Sequence, residues 1–368
     1  MRPMSDDDQI LFEERGPLRL VTLNRPKAFN ALTLEMIEAF HPRLQAWAAD
    51  PAVAAVAVRG AGEKAFCAGG DILDIYRGRG AGRNLLGERF FAAEYRLNRL
   101  IKVFPKPYIA LLDGVTMGGG VGVSVHGSFR VASEGCLLAM PETGIGLYPD
   151  VGASYVLPRL PDAMGLLIGL TGWRLGAADC CQLGIATHFL PQDRQEALLA
   201  ALAAAPWGEG DGYAVADRVL AAQAVPAPAS DLAGIAAEVA AAFGAGSLPA
   251  ILAALAASDA DWANKAWALL KKASPTSLCL TFETIRRGAA LDFDAAMRME
   301  YRVSCHCLKG HDFYEGVRAL LVDKDRNPRW QPASLDAVDP AGIDAAFASR
   351  GAEDLTFETP DSAVFAEA

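Results

Sequence analysis

The sequence predicts an α/β fold. From Leu18 to Pro158, short runs of branched apolar residues alternate with longer stretches of helical period, and the runs empty into loops built on Gly or Pro. Beyond Pro158 the pattern turns mainly helical, so the alternating part reads as a core followed by a helical extension.

The elements follow in order. Leu18 to Leu23 (LRLVTL) alternates weakly and stops at Asn24-Arg25-Pro26, a strand and then a loop. Thr33 is a good N-cap, and Met36, Ile37, Phe40, Leu44 and Trp47 fall at helical spacing, with a kink expected at Pro42. Val53 to Val58 is a second strand, leading into Gly60-Ala61-Gly62. KAFCAGGDI (64–72) is a short apolar piece, a Gly pair and Asp71 placed to cap the next helix; a helical stretch runs from Arg83 to Val103. Tyr108 to Leu112 is short enough for a buried strand and breaks at Asp113-Gly114, which reads as a turn.

Met164 to Leu170 and Ala177 to Leu183 are helical, with an extended piece at Ala186 to Leu190. The composition shifts to Ala, Pro and Gly around Pro206 to Gly210 and Val225 to Ala229. That shift divides the chain into a core over 1–205 and a mainly helical region over 206–368. Alanine-rich 197–205 and 233–243 are helix formers by propensity, and their interleaved Leu, Ile, Val and Phe mark packed helices.

Composition narrows the function. At 368 residues, 52% hydrophobic and 21% charged, the chain can bury a sizeable core. A net charge of −10 with no basic run argues against nucleic acid, which needs clustered Lys and Arg. No apolar stretch approaches membrane-spanning length, so no membrane partner is expected. Seven cysteines do not read as a disulfide framework, and MRPMSDDDQI lacks the features of a secretory signal. These point to the cytoplasm, or to the mitochondrial matrix if a presequence has been removed.

The chemistry concentrates between Pro107 and Pro158. Three glycines, Gly118 to Gly120, cost backbone entropy, and the usual return is close approach of a ligand to free N–H groups. The Gly-Gly of KAFCAGGDI is a second such loop. Glu142 and Asp150, on a Pro- and Gly-shaped loop poor in other charge, read as working acids. Glu94 lies among Phe90, Phe91, Tyr95 and Leu97, so part of its helix faces the core. Other patterns fall short. Gly122-Val-Ser124-Val-His126 has His126 where a nucleophile elbow needs glycine, and Cys305-His306-Cys307 with His311 lacks a second ligand pair, so no metal is expected. Neither the dinucleotide fingerprint nor the P-loop pattern is met.

KAFCAGGDI, then TMGGGVG, then MPETGIG resemble the enoyl-CoA hydratase/isomerase, or crotonase, superfamily. Within it the likeness is greatest to the 3-hydroxyisobutyryl-CoA hydrolases. NRPKAFNALT (24–33), GGGVGVSVHGSFRVA (118–132), MPETGIGLYPDVGASYVLPRL (140–160), KASPTSL (272–278) and MEYRVSCHCLKGHDFYEGVRALLVDKDRNPRW (299–330) carry it. The resemblance implies a spiral of ββα turns that binds an acyl-CoA thioester, with a helical C-terminal extension and no cofactor beyond the coenzyme A of the substrate. It implies oxyanion donors at Gly70 and Gly119, substrate contacts from Ala68, Glu94, Gly119, Glu142 and Asp150, and Arg25, Lys27 and Lys324 near the CoA phosphates. A homo-oligomer is left open.

A thioester carbonyl becomes an oxyanion on attack, and each backbone donor in a dry site contributes on the order of 3 kcal/mol. Gly122 stands where a hydratase of the superfamily has a second glutamate, and Asp150 where it usually has glycine. That departure argues for hydrolysis or isomerisation over hydration. Likeness to the hydrolases implies that Glu142 drives attack on the carbonyl, as base toward water or as nucleophile through an anhydride. Asp150 then orients a hydroxyl or water and helps move the proton. The expected reaction is hydrolysis of a short branched 3-hydroxyacyl-CoA, 3-hydroxyisobutyryl-CoA first, in valine breakdown. The alternatives are an enoyl- or dienoyl-CoA isomerase and a non-catalytic acyl-CoA binder.

Overall fold

The computed structural model describes residues 8–79, 83–208 and 210–357. It begins with an antiparallel hairpin of β1 (Ile10–Arg15) and β2 (Leu18–Leu23). β1 was not among the expected strands. It is an edge strand buried only at Ile10, so ILFEER carries little of the apolar signal that marks its fully buried neighbour. Asn30 then ties down the following loop: its side chain accepts from the N–H of Arg25 at 2.9 Å and donates to the carbonyls of Ala61 and Ala65.

Helix α1 (Leu34–Ala49) is capped by Thr33 and buries Met36, Ile37, Phe40, Leu44 and Trp47 as the periodicity requires; Pro42 sits inside it. The chain continues through β3 (Ala55–Gly60), β4 (Ala65–Cys67), α2 (Ile72–Arg77), α3 (Leu85–Lys102), β5 (Tyr108–Leu112), β6 (Val115–Met117), α4 (Gly119–Gly122), β7 (Phe129–Ala132) and β8 (Leu137–Ala139). After α5 (Ala153–Val156) and α6 (Met164–Thr171) come β9 (Leu175–Gly176), α7 (Ala177–Gln182), β10 (His188–Phe189) and α8 (Gln195–Ala203).

Two sheets result. One has the order β1-β2-β3-β5-β7-β10 and is parallel from β2 onward. The other, β4-β6-β8-β9, has three short parallel strands and an antiparallel edge. Its register sets Cys67 beside Thr116 and Met117 beside Ala139. Strands β4, β6 and β8 therefore end together, and the loops that leave them open on one edge, where parallel sheets place ligands.

The rest is helical: α9 (Gly212–Gln223), α10 (Ala236–Phe243), α11 (Leu248–Ala256), α12 (Asp261–Leu270), α13 (Pro275–Gly288), α14 (Phe293–Cys307), α15 (Asp312–Val317) and α16 (Pro340–Ala346). α14 lies along α3, and its Met297 and Val303 join the same apolar core as Phe91 and Leu97. Glu88 of α3 also pairs with Arg350 at 3.0 Å. Among the described residues all seven cysteines are free thiols, and no helix is long and apolar enough to cross a membrane.

Candidate active site

The loops after β4, β6 and β8 carry Gly70, Gly119 and Glu142. Gly118 has φ +47°, a left-handed conformation that suits glycine, and turns the chain into α4. Gly119 opens that helix, so its N–H has no intrahelical acceptor. A methyl group on Gly119 would lie 3.2 Å from the nitrogen of Gly70 and would overlap Oε1 of Glu94. The chain around Gly70 is pinned by bonds from Leu32 N to Gly69 O and from Asp71 N to Leu32 O, which bypass the Gly70 N–H. Gly70 and Gly119 are thus neighbours whose amides find no acceptor among the described residues.

Three carboxylates meet them. Glu94 comes from α3, Glu142 opens the 3₁₀ turn after β8, and Asp150 follows Pro149; they are 2%, 5% and 4% exposed. A Cβ on Gly118 would stand 3.1 Å from Oε1 of Glu142, so this glutamate also borders the amides. Oε1 of Glu94 and Oε2 of Glu142 are buried without a hydrogen-bond partner among the described residues. Burial raises Glu94 well above the usual carboxylate range, helped by the charges of Asp150 and Glu142. Burial and then Asp150 do the same to Glu142. Asp150 is pushed up to about 6 by burial, with the Tyr95 hydroxyl and its own backbone N–H opposing.

The C-terminal helices hold these groups in place. The N–H of Ser274, which caps α13, donates to the carbonyl of Thr143 at 3.0 Å, and its hydroxyl donates to Asp312 at 2.5 Å. Gly146, at φ +71°, lets the Glu142 turn pack directly on the backbone of Asp312. Beyond Asp150, Val151 sits at φ +52°, where a β-branched residue is strained by roughly 1–3 kcal/mol. Two contacts offset that cost. His126 bonds the Val151 carbonyl through Nε2 at 2.7 Å, and burial lowers it to about 4, so the neutral ring donates. Glu300, 0% exposed, accepts from the N–H groups of Gly152 (2.7 Å) and Ser154 (2.9 Å) and from the Ser154 hydroxyl (2.6 Å).

The other expected residues are placed as follows. Ala68 precedes the Gly pair and donates its N–H to Phe29 O at 2.9 Å. Arg25 donates to Ala31 O and to Asp71 at 2.9 Å, bracing the glycine loop, while Lys27 and Lys324 are exposed. Asp71 corrects an expectation: it stands at the cap position of α2, but its side chain makes no cap bond because Arg25 holds it. Ser124 bonds back to Gly120 O at 2.7 Å and does not face His126. Cys305 and Cys307 pack in the core, and Nε2 of His311 meets Arg329 O at 3.0 Å. Sequence reasoning passed over Tyr95, Tyr148, Glu300 and Ser304. Glu300 and Ser304 could have been picked out, since their spacing sets two polar groups on one face of a helix otherwise turned to the core.

Paired free amides at the ends of parallel strands, faced by buried carboxylates, define the class: a crotonase-fold enzyme built around an activated acyl group. The chain belongs to the enoyl-CoA hydratase/isomerase family, which matches residues 18–347. Zebrafish 3-hydroxyisobutyryl-CoA hydrolase, mitochondrial, is 46% identical over 359 residues, covering 94% of this chain and 91% of the relative. The human protein of that name is 41% identical over 354 residues, covering 95% and 91%. A solved structure described as a carnitinyl-CoA dehydratase from Mycobacterium thermoresistibile superimposes with a TM-score of 0.89 at 42% identity, covering 96% of this chain and 99% of that one. One described as an enoyl-CoA hydratase from Rhodobacter sphaeroides gives 0.88 at 37%, covering 95% and 100%. The relatives' names give no support to a cytoplasmic location and fit the matrix alternative.

Proposed function

We propose that this chain hydrolyses the thioester of a short branched 3-hydroxyacyl-CoA, with 3-hydroxyisobutyryl-CoA as the leading substrate, and so serves valine breakdown. The observation that carries this over hydration is the packing at Gly122. A Cβ there would stand 2.7 Å from Cβ of Val151 and 2.8 Å from Nδ2 of Asn98, which leaves no room for a second glutamate. The name shared by the curated relatives supports the same reading.

In this reading the thioester oxygen rests between the N–H groups of Gly70 and Gly119, which stabilise the oxyanion as it forms. Glu142 drives attack at the carbonyl carbon. A new C–O bond forms, the C–S bond breaks, and the sulfur takes up the proton that the water gives. Asp150 orients the substrate hydroxyl or the water and takes part in moving that proton. Glu94 closes the acyl pocket from α3. Of the cations expected near the CoA phosphates, Lys27 and Lys324 are exposed and able to meet them, whereas Arg25 is held by Ala31 O and Asp71.

Free-thiol detection across a small acyl-CoA panel tests the proposal. Hydrolysis frees CoA, most rapidly from 3-hydroxyisobutyryl-CoA. An ultraviolet change with no thiol means isomerisation instead. In a single turnover in ¹⁸O-water, label found in the Glu142 carboxyl identifies that carboxylate as the nucleophile.

A further inference from the structure

Asp150 does not end at its hydrogen bond with Tyr95. The Tyr95 hydroxyl lies 2.6 Å from Oδ2 of Asp150 and 2.6 Å from Oγ of Ser304. Ser304 lies 3.0 Å from the Tyr148 hydroxyl, which in turn lies 2.5 Å from the carbonyl of Glu300. Every residue of the series is buried. Only the last contact has a fixed direction, because a carbonyl has no hydrogen to give. Tyr148 therefore commits its one hydrogen to Glu300 and can only accept from Ser304.

Counting hydrogens decides the rest. Three contacts remain between Asp150 and Tyr148, while Tyr95 and Ser304 bring one hydrogen each. If Asp150 is ionised, Tyr95 donates to it, Ser304 can serve only one neighbour, and one buried contact is left with lone pairs facing each other. If Asp150 is protonated, it donates to Tyr95, Tyr95 to Ser304 and Ser304 to Tyr148, and every contact holds one hydrogen. No further donor to these hydroxyls is present among the described residues.

We propose that Tyr95, Ser304 and Tyr148 form a hydroxyl chain, anchored on the Glu300 carbonyl, that is complete only when Asp150 carries a proton, and that they are positioning residues which keep Asp150 as a donor. When Asp150 loses its proton, the Tyr95 hydroxyl turns to face it. No proton travels the chain, since its far end is a carbonyl. The groups facing Asp150 are Glu94 from α3, Glu142 from its turn, Tyr148, and Glu300 and Cys307 from α14; burial and the charge of Asp150 hold each of them toward its neutral form, and burial likewise raises Asp150 itself. The proposal rests on the hydrolase reading only for the use made of that proton. The protonation itself does not depend on it.

Infrared spectra of protein carrying ¹³C in its aspartate carboxyls, recorded from about pH 4 to 9, follow the protonated form of Asp150. Asp150→Asn assigns the band. In Ser304→Ala the acceptor end of the chain is gone, and the titration is expected to move down by about one pH unit, a tenfold change in proton affinity. Ser304→Thr keeps the hydroxyl and is expected to titrate like the parent. If Tyr95 is instead a permanent donor to an ionised Asp150, removing Ser304 weakens that donor and the titration moves up or stays; either result overturns the proposal. Ser304→Cys, with a weakly bonding thiol, reads the same direction if Ser304→Ala does not fold. Thiol release is assayed beside it. A parent protein that frees no thiol overturns the hydrolase reading and leaves the infrared result to stand by itself.

Discussion

Gly122 and Val151 lie so close that a Cβ built on the glycine would stand 2.7 Å from the Cβ of the valine. The amide of Asn98 closes the same space and has no partner for either of its polar atoms. Gly122→Ala overpacks this contact, so thermal unfolding should show a loss of about 1–3 kcal/mol. Gly122→Glu should bring no hydratase activity, because the added carboxylate has nowhere to point; enoyl-CoA hydration by that variant counts against the packing argument.

Gly119 is bounded by Glu94 on one side and Gly70 on the other. Gly119→Ala keeps the N–H but drives a methyl against Glu94 and the Gly70 nitrogen, where the proposed function puts the acyl oxygen. The loss expected is that of an oxyanion donor, about 10²–10³ in kcat. A variant that loses affinity alone, with kcat unchanged, would remove Gly119 from the reacting centre.

Stability should fall as pH rises from about 4 through about 6. Asp150 is raised from 3.8 to about 6, so the folded state holds its proton more tightly than the unfolded chain does. The gain is complete below the unfolded value and is lost as pH rises through the folded one, on the order of 3 kcal/mol over that window. Glu94 and Glu142 are raised in the same direction. Glu94→Gln removes one of these buried acids. Its melting temperature should exceed the parent's by more at pH 8 than at pH 5, at the cost of activity.

Glu300 accepts three hydrogen bonds just beyond Asp150. In Glu300→Gln, the amide nitrogen must face the N–H of Gly152 or the N–H and hydroxyl of Ser154. A loss of about 1–3 kcal/mol in unfolding free energy is expected. The strained Val151 turn should loosen with it, so kcat should fall more than affinity does. Equal stability and rate in the two proteins would show that the turn holds without the carboxylate.

The local signals were sufficient for much of the fold. LRLVTL and YIALL are apolar enough to be buried strands, Thr33 caps α1, and the helical spacing from Met36 to Trp47 all turns inward. The loops that hold Gly70, Gly119, Glu142 and Asp150 were legible too, because triple glycine and paired carboxylates are rare without a use and match a known family's motifs. Asp71 stands at the cap position it was read for, but its side chain is held by Arg25, a partner distant in sequence that local pattern does not reveal.

By itself, then, the sequence determined many of the elements, the family and the loops that carry Gly70, Gly119, Glu142 and Asp150, since each rests on short-range pattern. The tertiary structure alone decided that β4, β6 and β8 end in register, that three buried carboxylates come together, and that α14 supports Asp150 through hydroxyls and a buried glutamate. Burial and hydrogen-bond partnership depend on which chain segments meet, and no local pattern of residues records that.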